Sequence, residues 1–148
     1  MLVDAILCNY AEAVNNQLYI AGGGIDVVQI PAGMEPPLGI SLAIGIIITI
    51  PWSQTDQRHD VDISLLERVT GIVRAPTVDG GSEPISMELS FNLGRSPDLT
   101  DGDHQHVCLA ANLPGLPIPA IGKYELLVRI DGQTRRRLPF RVTSIAES

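Results

Sequence analysis

Apolar and polar residues alternate with period two along most of this chain. From Ile85 to Leu93 the odd positions are Ile, Met, Leu, Phe and Leu, with Ser86, Glu88, Ser90 and Asn92 between them. From His59 to Leu66, Val61, Ile63 and Leu65 alternate with Asp60, Asp62 and Ser64. From Gly122 to Asp131, Tyr124, Leu126, Val128 and Ile130 alternate with Lys123, Glu125 and Arg129. Such alternation is the mark of strands buried on one face. Further strands are expected at 2–9, 17–22, 25–30, 39–50, 105–112 and 134–143, making about nine, with Gly and Pro between them. Only Tyr10–Asn16 could start a helix, and it is short.

Short strands without crossover helices imply antiparallel pairing. The expected fold is all-β, an antiparallel two-sheet β-sandwich of immunoglobulin-like or jelly-roll type, with a closed barrel as the alternative. It forms one domain over residues 1–148. Loops are expected at 69–84, 94–103 and 113–121, the last stiffened by three prolines. The predicted core contains Ile44, Ile46, Val61, Ile63, Leu89, Phe91, Leu109, Leu126, Val128 and Phe140.

The last hairpin poses a parity problem. Its inward residues are even before the turn (Leu126, Val128) and even after it (Leu138, Phe140, Val142). A plain two-residue loop at Asp131-Gly132 would pair even with odd and turn Arg135 and Arg137 into the core. A three-residue loop ending in a bulge at Gly132 resolves the conflict and is expected. The strand at 39–50 shows a second feature. Its even positions are bulky, whereas Gly39, Ser41, Ala43 and Gly45 make the odd face small. A small face admits another layer closely, either a loop of the same chain or a partner subunit.

Composition narrows the function classes. With 45% apolar and 18% charged residues, the chain is not of the disordered type. Seventeen acids against ten bases give a net charge of −7, which disfavours a nucleic-acid binder. Aromatic residues at 4% disfavour a sugar-stacking surface. Two cysteines are too few for a disulfide framework. Met1–Ile6 has an acid in its apolar run and no basic flank, unlike a signal peptide. The longest apolar stretch, Leu38–Pro51, is too short for a membrane helix, which needs roughly 20 residues. A cytoplasmic location without membrane contact is expected.

Charge is unevenly spread. Residues 1–122 hold 14 acids and 4 bases, a net −10. Residues 123–141 hold 6 bases and 2 acids, a net +4. A basic closing hairpin on an acidic body points to contact with an acidic surface, such as a second copy of the chain. Charges that keep an exposed strand edge from aggregating would leave the same pattern. Arg135, Arg136, Arg137 and Arg141 are the candidate interaction residues.

Candidate chemistry is sparse. His104, His106 and Cys108 fall on one face of a strand, and all three are residue types that ligate metals. The likeness to the cupin HxH pattern is partial, because Ala110 and Ala111 stand where a carboxylate is expected. Gly22–Gly24 precedes a strand and not the helix that a phosphate loop requires. Gly122-Lys123 lacks the Ser or Thr of a P-loop. No G-x-S-x-G elbow is present, and Ser64 and Ser90 have no local base. His59 reads as a capping or packing residue. Trp52 reads as a core plug or a binding platform.

Two stretches, Leu18-Tyr-Ile-Ala-Gly-Gly-Gly-Ile25 and Pro51-Trp-Ser-Gln-Thr-Asp-Gln-Arg-His59, together resemble an uncharacterised bacterial domain-of-unknown-function family. Gly122–Gly132 followed by Leu138–Val142 is similar to the closing hairpin of immunoglobulin-like domains. The resemblances imply a fold and transfer no functional residue. The expected function is a non-enzymatic adaptor, scaffold or assembly subunit that needs no cofactor and has a protein partner, foremost itself. The alternative is a metal- or small-ligand module at His104, His106 and Cys108.

Overall fold

The alternating segments do form strands, and they are joined by four that alternation does not announce. A computed structural model describes residues 1–145. Among these residues the chain is all-β, with thirteen strands and one turn of 3₁₀ helix at Trp52–Gln54. In chain order the strands are β1 (Leu2–Cys8), β2 (Tyr10–Val14), β3 (Gln17–Ala21), β4 (Val27–Ile30), β5 (Leu38–Pro51), β6 (Arg58–Glu67) and β7 (Gly71–Ile72). They continue as β8 (Arg74–Pro76), β9 (Ser82–Pro84), β10 (Ser86–Asn92), β11 (His104–Ile118), β12 (Gly122–Ile130) and β13 (Gln133–Ser144).

The expected nine strands are thus too few. The expected loop at 69–84 contains β7, β8 and β9, and β11 runs through most of the expected loop at 113–121. Tyr10–Val14 is a strand, not a helix start, because Asn15 and Asn16 both adopt positive φ (51° and 55°) and fold it back onto β3. Two positive-φ residues make the tight hairpin turn whose twist matches that of the strands.

Two sheets and two hairpins result. One sheet has the order β1-β5-β11. The larger has the order β10-β6-β12-β13-β4, with β7 also on β6. β2–β3 and β8–β9 are the hairpins. Pairing is antiparallel except at one margin, where Arg141–Ser144 of β13 runs parallel to Val27–Ile30 of β4. This corrects the purely antiparallel expectation. The roughly 110 residues between these two paired segments let the chain re-enter from either direction, so no tight turn dictates their sense.

The two larger sheets share one apolar core. Ile44, Ile46, Ile48 and Ile50 of β5 meet Val61, Ile63, Leu126, Val128 and Phe140 of the larger sheet, all of them buried. Each such side chain stabilises by about 1.5–3 kcal/mol. Of the ten predicted core residues, Leu89 and Leu109 are only partly buried. Leu89 lies on β10, the last strand of its sheet, and Leu109 on β11, the last strand of the other, where the layers thin out.

The closing hairpin resolves its parity differently from expectation. Asp131 and Gly132 form a plain two-residue loop, both with positive φ, and Ile130 pairs with Gln133. The extra residue sits farther on. Arg129 pairs with Thr134 and Val128 with Arg136, so Arg135 is bulged out. Leu138 then opposes Leu126 and Phe140 opposes Tyr124, which puts the apolar sets on one face.

The small face of β5 is covered by the chain itself. The β2–β3 hairpin lies over it, and a Cβ on Gly45 would come within 2.8 Å of Ile20 Cδ1 and 3.0 Å of Leu18 Cδ2. Cys8, Ala11 and Ala43 form a second small core beneath. Two asparagine side chains hold the hairpin down. Asn112 accepts from the Ala11 N–H (3.2 Å) and donates to the Ala11 carbonyl (2.8 Å). Asn16 donates to the His106 carbonyl (2.8 Å) and accepts from the Cys108 N–H (2.9 Å). Each amide thus pairs with a backbone edge as one residue of a further strand would.

Candidate functional site

The candidate residues fall in three places. The first is the outer face of the larger sheet. Strand alternation sends Asp60, Asp62 and Glu88 of β6 and β10 outward, and likewise Lys123 and Arg129 of β12 and Arg137 and Arg141 of β13. The β10–β6 margin is therefore acidic and the β13 margin basic. Ion pairs on this face are exposed or half-exposed. Arg58 Nε lies 2.9 Å from Asp60 Oδ1, Arg137 Nη1 lies 2.6 Å from Glu125 Oε1, and Arg129 Nε lies 3.9 Å from Asp62 Oδ2. Such pairs contribute little to stability. Arg135, Arg136, Arg137 and Arg141 are all exposed. Among the described residues only Arg137 of these four makes an ion pair.

The second place is the β11 edge. His104 and His106 are exposed and Cys108 is half-buried. They pair with Pro51, Thr49 and Ile47 of β5 and so share a face, as expected. His106 Nδ1 is engaged with Thr49 Oγ1 at 3.1 Å, and the Cys108 N–H is taken by Asn16. Among the described residues no group of three or more His, Cys, Asp or Glu side chains is placed to hold a metal ion.

The third place is the end of the molecule where β5 hands over to β6. Trp52 is half-buried, and the Arg95 guanidinium stacks on its ring at 3.6 Å from the centroid. Arg95 also donates to the Trp52 carbonyl (2.9 Å) and Thr55 Oγ1 (2.9 Å). Its backbone N–H donates to Asp56 Oδ1 (3.0 Å). One ring face of Trp52 is therefore already taken by a cation.

His59, on the neighbouring strand, is buried and stacked on Phe91, with ring centroids 5.1 Å apart. Its Nδ1 meets Asp131 Oδ2 at 2.7 Å and its Nε2 meets the Gln54 carbonyl at 2.8 Å. Both partners are acceptors, so the form that satisfies both ring nitrogens is the imidazolium. Burial pushes the His59 pKa down. The hydrogen bonds to Asp131 and Gln54, with the charges of Asp131 and Asp60, outweigh burial and hold it above its ordinary 6.5. Asp131 responds in the opposite sense. Burial would raise its pKa, but the bonds from His59 and the Asp60 N–H keep it below its ordinary 3.8.

A family model described as a family of unknown function, DUF6941, matches residues 3–143. The chain belongs to DUF6941. No curated protein matches the sequence. The DUF6941 match takes in both larger sheets and both hairpins. It also includes the two stretches whose resemblance pointed to such a family. Leu18–Ile25 supplies the side chains that pack on Gly45, and Pro51–His59 supplies the Trp52 turn and the buried histidine.

Gly22–Gly24 carries no phosphate-loop geometry, since the chain runs on to β4, a strand. No helix of the described residues is long and apolar enough to cross a membrane. The residues that sequence reasoning missed are Asp131, Arg95, Asn16 and Asn112. Asn15-Asn16 between short apolar runs is a hairpin signal, and it could have flagged the first turn.

Proposed function

We propose that this DUF6941 chain is a non-enzymatic cytoplasmic interaction module that acts by assembling with protein, foremost with copies of itself. The observation that carries the reading is the basic margin at β13, where Arg135, Arg136 and Arg141 stand exposed without an ion pair among the described residues. The pair of buried His59 with Asp131 supports it from the other side. Both ring nitrogens of His59 are engaged by the fold, so no free base faces solvent there. Both cysteines are free thiols, in keeping with a reducing compartment.

We read the two larger sheets as the layers of one β-sandwich related to immunoglobulin-like domains. Their common core supports this. So does a tyrosine corner: the Tyr124 hydroxyl donates to the Ala120 carbonyl at 2.6 Å, four residues upstream, at the start of β12.

Affinity purification at low salt, with the mass of the complex measured by light scattering, tests the assignment. A protein complex lost on replacing Arg135, Arg136 and Arg141 by Glu is the expected result. Recovery of the wild type as a lone monomer would overturn it.

A further inference from the structure

We propose that the outer face of the larger sheet docks on the same face of a second copy, about a two-fold axis that runs along the strands between β6 and β12. The inference deepens the assembly reading and rests on it.

The ladder across the face shows why. Glu88 on β10 is directly opposite Asp62 on β6, and Asp62 is directly opposite Arg129 on β12. The rung reads acid, acid, base. Like charges directly opposite one another destabilise a sheet. Within the chain the relief is slight, because Arg129 reaches Asp62 only at 3.9 Å and Glu88 has no ion pair among the described residues. A groove of about 430 Å³ lies at this spot, lined by Asp60, Asp62, Glu88 and Ser90 among others. Arg58 also lines it but is bound to Asp60 at 2.9 Å, so three carboxylates share one cation and the recess stays net acidic. The opposite margin of the same face offers further cations. Arg137 stands on the next rung, opposite Leu127, where an exposed pair with Glu125 (2.6 Å) shares its charge, and Arg141 lies farther along β13.

Charge alternation by margin selects the occupant. Rotation by 180° about an axis in the face and along the strands exchanges the margins. The acidic margin of each copy then lies over the basic margin of the other, twice over, as an isologous contact requires. Near the axis Leu66 is half-buried and Leu127 is already buried within the chain, so Leu66 supplies most of the little apolar surface at the centre of a mainly charged contact.

The size of the face sets the strength. Four overlapping strands, β10, β6, β12 and β13, about 4.8 Å apart and about 27 Å long, offer on the order of 500 Å², well below the roughly 800 Å² per partner of a standard interface. With charges supplying most of the specificity, the dimer is weak and salt-sensitive.

Sedimentation of the full chain provides the test, comparing about 50 mM with about 0.5 M salt. One variant, Arg129→Glu with Arg137→Glu, puts acids where the partner's Asp62 and Glu88 would meet bases. The other, Asp62→Arg with Glu88→Arg, puts bases where the partner's Arg129 and Arg137 would meet acids. The expected results are a low-salt dimer of the wild type and a roughly tenfold or greater loss of affinity in each variant alone. An equimolar mixture of the two variants should recover a heterodimer. Circular dichroism checks that each variant is folded. A dimer indifferent to both charge reversals would overturn this face and leave self-assembly standing. A wild-type monomer at about 100 μM in low salt, far above the concentrations at which specific interfaces assemble, would overturn both.

Discussion

His59 and Asp131 stand 72 residues apart in the chain and 2.7 Å apart in the fold. The pair fastens the turn between β12 and β13 to the start of β6. Asp131 Oδ1 also accepts from the Asp60 N–H (2.9 Å), and the Asp131 N–H donates to the Asp60 carbonyl (2.8 Å). A buried charge held this way makes stability depend on pH.

The sign follows from the two directions. The pKa of His59 is raised in the fold, so its contribution is complete below the unfolded value near 6.5 and is lost as pH rises through the folded value. The pKa of Asp131 is lowered, so its contribution is present above 3.8 and is lost as pH falls through its folded value. Thermal melts across pH 4–9 should therefore show stability falling as pH rises above about 6.5, where a histidine near its ordinary value would give no such slope. Asp131→Asn keeps a residue that tolerates the positive φ of this turn while removing the charge. It should cost about 1–2 kcal/mol near pH 6, reduced because the Asp131 side chain is 48% exposed. It should also flatten the slope above about pH 6.5. Parallel pH profiles for the two proteins would rule out the pair as the source.

The β2–β3 hairpin should detach before the sheets unfold. Asn112→Ala removes both bonds to Ala11 and should cost about 1–3 kcal/mol. Hydrogen exchange should quicken first at Ala11 and Cys108, ahead of the amides of β5. Gly45→Val places methyl groups where Ile20 and Leu18 already sit, and it should produce the same pattern by steric means. Equal quickening throughout the molecule would show that the hairpin is not a separate unit.

The core should respond by depth. Phe140 is 2% exposed and stacked on Tyr124 at 5.7 Å, so Phe140→Ala should cost about 3–5 kcal/mol in urea denaturation. Phe91 lies at the margin with one face on His59, and its truncation should cost about 3 kcal/mol, at the low end of that range. A reversal of this order would mean that the centre of the core lies nearer β10 than β12.

The strands that alternation reveals are those with one face on the core and one outside. β6, β10 and β12 are such strands, and their spans agree with the pattern to within one or two residues. β2 escaped because its residues, Tyr-Ala-Glu-Ala-Val, mix helix formers with strand formers, and what decides the matter is the asparagine turn and the shelf provided by Gly45. β7, β8 and β9 are two or three residues long, too short for any period to show. The parallel pairing of β4 with β13 depends on where two distant segments come to rest, as does the contact of His59 with Asp131. The basic run at 135–137 was plain in the sequence. Its acidic counterpart was hidden because Asp62 and Glu88 meet only across a ladder.

The bulge at Arg135 bears on how this strand tolerates change in length. Its neighbours Arg136 and Arg137 are the same residue, so the loss of any one of the three leaves the same chain. That shorter chain pairs Thr134 with Arg129 and the next arginine with Val128 as before, on a ladder with no residue left over. Leu138, Phe140 and Val142 keep their inward aim. A one-codon deletion here removes a kink and a charge and spares the core, whereas a deletion at most places in a strand would turn its apolar side to water.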